Sequence, residues 1–105
     1  MEMRKTELFA QILKTVANET ELTPEQILSC CRTAETVDAR YILVHLLRRE
    51  GMYISEIARM MHFSRRGIEK MLSQFEDRLS QSGHIFKVTF ERIANKVRIA
   101  FESSR

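Results

Sequence analysis

The stretch "YISEIARMMHFSRRGIEKML", residues 53–72, decides how this chain folds. Its apolar residues Ile57, Met61, Ile68 and Met71 keep the three-to-four spacing of a helix, and that spacing breaks around residues 62–64. The pattern predicts a short helix, a tight turn and a longer helix. Ile57 and Met61 face the core from the first helix, and Ala58 supplies the small residue needed where the two helices cross. Phe63 plugs the turn, and Ile68 and Met71 hold the second helix down. The turn position that glycine often fills is His62, a residue enriched at positive φ. Ser55 is expected to cap the first helix and Ser64 the second.

Helices are expected on both sides. Upstream, Leu8, Phe9, Ile12, Leu13 and Val16 form one apolar face. "LTPEQIL", residues 22–28, carries a capping box: Thr23 as the cap, Pro24 at the first helical position and Gln26 three after the cap. This second helix should end near Cys31. A third runs from near Thr36 through Val37, Tyr41, Ile42, Val44, Leu46 and Leu47. It is apolar on much of its circumference and should be central. Gly51 ends it, with Arg48 and Arg49 in the last turn, where cations suit the dipole. Downstream, Leu72, Phe75 and Leu79 extend the inner face of the helix from Ser64. At about 84–102, Phe86, Phe90, Ile93, Val97, Ala100 and Phe101 recur at helical intervals. The beginning "IFKVTF" also alternates as a strand would, but the helical spacing persists for about four turns. The expected fold is all-α: one compact domain of about six helices over residues 1–105, with the helix-turn-helix at about 55–80.

Composition narrows the function classes. The chain of 105 residues is 44% hydrophobic, which suits one modest core. It contains one proline and three glycines, which suits long helices and few tight turns. No run of about 18 apolar residues offers a membrane span, and the charged beginning "MEMRKTELFA" lacks an apolar signal core. A cytoplasmic location without membrane association is expected. Cys30 and Cys31 are adjacent, a spacing that disfavours a bridge, and are read as reduced thiols. His45, His62 and His84 lie far apart and form no metal-ligand spacing. No metal and no cofactor is expected.

The formal net charge is +3, and it is unevenly spread. Residues 1–28 hold three Lys/Arg against five Asp/Glu, whereas residues 29–105 hold fourteen against nine. The basic excess therefore falls on the half that contains the helix-turn-helix. The outer face of its second helix would show Ser64, Arg65, Arg66, Glu69, Lys70 and Ser73. Arginine suits guanine edges and phosphates through its bidentate fork. Gly67 weakens the helix by about 1 kcal/mol relative to alanine. It would serve either a close approach to DNA or a tight contact with a neighbouring helix. The same pattern also fits an ordinary amphipathic hairpin with charges outside.

The upstream half adds a resemblance. "LSCCRT", residues 28–33, lies between two helices, and "DARYILVHL", residues 38–46, opens the long helix before "YISEIARMM". In order and separation, residues 9–97 resemble the C-terminal DNA-binding domain of the bacterial chromosomal replication initiator, DnaA. That family has a short helix ending in a serine-basic-basic-arginine loop, a helix opening with "ARQIAMYL"-like residues, and then a helix-turn-helix. The resemblance implies that Arg32 matches the loop arginine that enters the minor groove, where a narrow groove attracts arginine; a solvated loop cation is the alternative. Arg40 matches the arginine of the long helix, with a structural ion pair as its expected role. The departures are specific. Cys30 and Cys31 replace the other basic residues of the loop, which weakens that phosphate grip. Ser64-Arg65-Arg66-Gly67 before Ile68 replaces the family's Asp-His-Thr-Thr before valine, and the turn is one residue shorter. The family's base specificity therefore does not carry over. No Gly-rich Lys-Ser/Thr phosphate loop is present, so the family's ATPase domain is not expected here.

The leading expectation is a small regulator of transcription, replication or a mobile element that binds double-stranded DNA. Its candidate contacts are Arg32, Ser55, Ser64, Arg65, Arg66, Gly67, Glu69, Lys70 and Ser73. The alternative is a protein-interaction module or a homodimer formed through the C-terminal helix, whose apolar stripe could otherwise serve the domain's own core. An enzyme is not expected, and no small-molecule substrate is implied. Asp38 and His45 lie two helical turns apart, and neither cysteine has a positioned base.

Overall fold

Local signals set most helix ends. The computed structural model describes residues 4–29, 32–81 and 83–103. These form α1 (Lys5–Thr20), α2 (Pro24–Leu28), α3 (Ala34–Arg49), α4 (Ile54–Met61), α5 (Arg65–Gln81) and α6 (Gly83–Ser103). Thr23 begins α2 through both halves of a capping box: Gln26 N–H donates to Thr23 Oγ1 at 3.1 Å, and Thr23 N–H donates to Gln26 Oε1 at 2.8 Å. Thr33 caps α3, so that helix starts two residues before Thr36, the expected beginning.

Three helices end in the same closure. Glu21 (φ 59°), Gly51 (φ 99°) and His62 (φ 60°) take left-handed conformations just past α1, α3 and α4. The following N–H groups reach back, Leu22 to the Ala17 carbonyl at 3.1 Å, Met52 to the Leu47 carbonyl at 3.2 Å and Phe63 to the Ala58 carbonyl at 3.0 Å. This satisfies carbonyls that a helix end otherwise leaves open.

The expected cap of α4 is corrected. Tyr53, not Ser55, precedes the helix, and its N–H donates to Glu56 Oε1 at 2.9 Å. Glu56 lies three residues after Tyr53, where a capping-box carboxylate belongs. Ser55 has no such partner at Ala58, and it becomes the second residue of the helix.

The central helix is α3. It packs against all five others and buries Ala39, Ile42, Leu43, Val44, Leu46 and Leu47. Leu43, absent from the expected apolar set, is fully buried. Around α3 the core takes Ile12 and Val16 from α1, Ile27 from α2, Ile57 and Met61 from α4, Ile68 and Phe75 from α5, and Phe86, Ile93 and Val97 from α6. The "IFKVTF" stretch is helical. One α6 face carries the buried Phe86, Ile93 and Val97 against α1, α3 and α5, which a strand of period two could not do. The radius of gyration, 12.9 Å, is that of one packed unit of this length.

Rings cement the α3–α5–α6 junction. His45 stacks flat on Phe75, and Phe90 meets both rings edge-on at 5.3 and 5.0 Å. Nearby, Arg78 of α5 pairs with Asp38 of α3 at 2.6 Å and lies 4.6 Å from the Tyr41 ring centroid. The expectations for Cys30 and Cys31, and for the Phe101 side chain, lie outside the described residues.

Candidate nucleic-acid interface

The core-facing stripe of α5 fixes what it shows to solvent. Ile68 and Phe75 are buried, and Met71, Leu72 and Leu79 are half-buried against the core. At about 100° per residue, this leaves Arg65, Arg66, Glu69, Lys70 and Ser73 on one outward arc. All five are exposed. Ser64 caps the helix: Gly67 N–H donates to its Oγ at 3.0 Å. The turn from α4 is three residues long, 62–64, and the half-buried Phe63 packs against the core from it.

Charge along this arc is uneven. Arg65, Arg66 and Lys70 occupy the first two turns with Glu69 among them, whereas Glu76 and Asp77 follow in the later turns. No acidic residue lies in the first turn of α5. Two arginines there oppose the positive end of the helix dipole, at about 0.3–1 kcal/mol each. Such a placement costs stability and favours an anion at that end. Arg65 is drawn toward Glu69, with Nε to Oε1 at 3.3 Å, but both side chains stay more than half exposed. Among the described residues, the side chains of Arg66 and Lys70 engage no acceptor, so their charges are open to a ligand.

Gly67 has a specific reading. A methyl group there would meet only Ser64 Oγ, at 3.1 Å. Among the described residues no neighbouring helix comes within contact of that position, so the tight interhelical contact is ruled out as the reason for this glycine. Capping boxes routinely carry a side chain at this third helical position beside a serine cap.

The remaining candidates lie on other elements. Ser55, the second residue of α4, is exposed. Arg59 shares its stripe one turn on and is also exposed; the four-residue spacing from Ser55 was the available signal for it. Beside it, the Lys5 ammonium bonds Glu56 at 2.6 Å and, with the Tyr53 N–H, holds that carboxyl below the usual carboxylate range. Arg32 is exposed in the α2–α3 connection, directly before the Thr33 cap.

Arg40, expected in an ion pair, meets two backbone carbonyls among the described residues. Its side chain is 7% exposed and runs to the end of α2. Nε donates to the Ile27 carbonyl at 2.6 Å, and Nη2 donates to the Ser29 carbonyl. These carbonyls belong to the last turn of a five-residue helix, where acceptors are left open. The guanidinium carbon also lies 5.7 Å from the centroid of Phe63. One buried cation thus touches both the α2–α3 connection and the α4–α5 turn.

No protein-family model, curated protein or solved structure matches the chain. Among the described residues no helix is long and apolar enough to cross a membrane.

Proposed function

We propose that the chain binds double-stranded DNA, with α4 and α5 acting as a helix-turn-helix and the first turns of α5 entering the major groove. The observation that carries this reading is the basic beginning of α5: Arg65, Arg66 and Lys70 exposed on one arc, against the helix dipole and with no acid in the first turn. Recognition helices contact base edges mainly through their N-terminal residues. Glu76 and Asp77 disfavour phosphates farther along, which limits the contact to that end.

In this reading Arg65 and Arg66 meet guanine edges or phosphates. Lys70, Ser64, Ser73 and the α4 pair Ser55 and Arg59 steady the duplex through its backbone. Glu69 orients Arg65 or accepts from a cytosine amino group. Gly67 allows close approach, and Arg32 reaches the adjacent groove or backbone. A role as a cytoplasmic regulator of transcription, replication or a mobile element is in keeping with this chemistry, and the resemblance to the replication initiator's DNA-binding domain agrees with it. Selection of bound sequences from a random duplex pool at low salt tests the reading. Enrichment of a common site is expected, and absence of both enrichment and low-salt retention would overturn it.

A second reading has its own observation. Ile85, Val88 and Ile99 of α6 are 81%, 41% and 50% exposed on one side of the helix. A homodimer through this face would cover them and present two copies of α5 to a two-fold site.

A further inference from the structure

We propose that the cavity between the end of α1 and the beginnings of α3 and α6 binds a small amphipathic primary amine, with its ammonium on Glu35 and Asp38 and its apolar body on Ile42, Ile85 and Phe86. No residue of this site belongs to the proposed DNA-contacting set, so the two readings stand or fall separately.

The cavity has a volume of about 230 Å³. Small-molecule clefts usually span about 300–1,000 Å³, so the occupant of this one is small. Its floor is apolar: Ile42 and Phe86 are buried, and the exposed Ile85 forms the lip. An aromatic or branched apolar body fits such a floor, in contact with the Phe86 ring. The rim carries acceptors with room for a further donor. Glu35 lies in the first turn of α3, where the helix dipole favours a negative charge, and it meets no cation among the described residues. Asp38 follows by three residues, on the same side of α3. It receives both bonds from Arg78 on one oxygen, with Nε at 2.8 Å and Nη2 at 2.6 Å from Oδ1, which leaves Oδ2 open among the described residues. The Thr89 hydroxyl of α6 also lines the cavity and has no hydrogen-bond partner among the described residues. Three accepting groups thus rim one apolar cavity, which matches the three N–H donors of a primary ammonium. The cation in the lining, Arg92, is committed to Glu19: its Nε meets Oε1 at 3.0 Å and its Nη2 donates to the Glu19 carbonyl at 3.3 Å. An anionic occupant would therefore face Glu35 and Asp38 without a free guanidinium to offset them.

The test titrates the full chain with 2-phenylethylamine at about pH 7, where an alkylamine is protonated as lysine is, and follows amide chemical shifts. Saturable shifts are expected at Glu35, Asp38, Ile42, Phe86 and Thr89. The neutral 2-phenylethanol and the anionic phenylacetate share the apolar body. Each should bind at least about fivefold more weakly, the scale of a partly exposed ion pair. Glu35→Gln should lower the affinity for the amine by about fivefold and leave that for the alcohol unaltered. Thr89→Met, which fills the cavity, should abolish the shifts. If that variant fails to fold, Glu35→Gln decides alone, because it alters an exposed side chain and leaves the core intact. Equal binding of amine and alcohol, preference for phenylacetate, unaltered amine affinity in Glu35→Gln, or no saturable shift at tens of millimolar amine overturns the site.

Discussion

His45 lies flat on Phe75, with ring centroids 3.9 Å apart and planes 10° from parallel. The pair joins the central helix to α5. Burial disfavours the imidazolium and lowers the His45 pKa from its ordinary 6.5; Arg49 adds to this, and Glu76 opposes it. Between the lowered value and the ordinary one, the unfolded chain binds the proton more readily than the folded chain. Stability is therefore fully present above about pH 6.5 and falls as pH drops through the folded value. Urea unfolding at about pH 7.5 and pH 5.5 should show this loss, and His45→Phe should flatten it. Glu19 and Glu56, held ionised by Lys96 and Lys5, shed their contributions only below the ordinary carboxylate value of 4.5, so the two effects separate on the pH axis. An unchanged midpoint across the histidine window would refute the assignment.

Arg65→Ala with Arg66→Ala should weaken DNA binding and lower the slope of log affinity against log salt by about one to two. Thermal stability should hold or rise slightly, because two cations leave the positive end of α5. Binding isotherms at several salt concentrations and a melting curve measure both. Unchanged affinity in the folded variant removes this face from the interface.

Gly67→Ala should stabilise the fold by up to about 1 kcal/mol, since alanine is the better helix former and only the small Ser64 hydroxyl stands in the way. If the glycine serves close approach to DNA, affinity should fall while stability rises. Denaturant melts paired with DNA titrations separate the two effects. A variant that binds as tightly as the parent leaves the glycine without a role at the interface.

His62→Gly should stabilise by roughly 1 kcal/mol, because the left-handed conformation at φ 60° strains any residue bearing a β-carbon. The gain should be visible as a higher urea midpoint with an unaltered slope. A loss of stability would show that the imidazole makes a contact worth more than the backbone strain.

Ile85→Ser with Val88→Ser distinguishes the two uses of α6. If the exposed side of α6 forms a homodimer, sedimentation across concentrations should show a dimer in the parent chain and a monomer in the variant. A parent chain that sediments as a monomer at every concentration sinks the dimer reading and leaves DNA binding untouched.

Much of the fold could be read locally. The Thr23–Gln26 capping box, the Ser64 cap, the left-handed His62 and the apolar stripes of α1, α5 and α6 all involve residues within a few positions of one another. The outward arc from Arg65 to Ser73 followed from the stripe opposite it. The α4 start differs from the expected one although a signal stands in the chain: Glu56 follows Tyr53 by three, and that carboxylate is a stronger cue than the nearby serine.

By itself the sequence determined six helices, their faces and the basic beginning of α5, because helix periodicity and capping act over three or four residues. Tertiary structure decided what lies across the chain. Asp38 met Arg78 forty residues away, His45 found Phe75, and Arg40 took two backbone carbonyls of α2 and its end. No spacing in the chain encodes these meetings. They arise because burying the apolar faces together leaves each polar group only the partners that the packing brings within reach, and a buried cation must take a hydrogen-bond acceptor wherever one is left open.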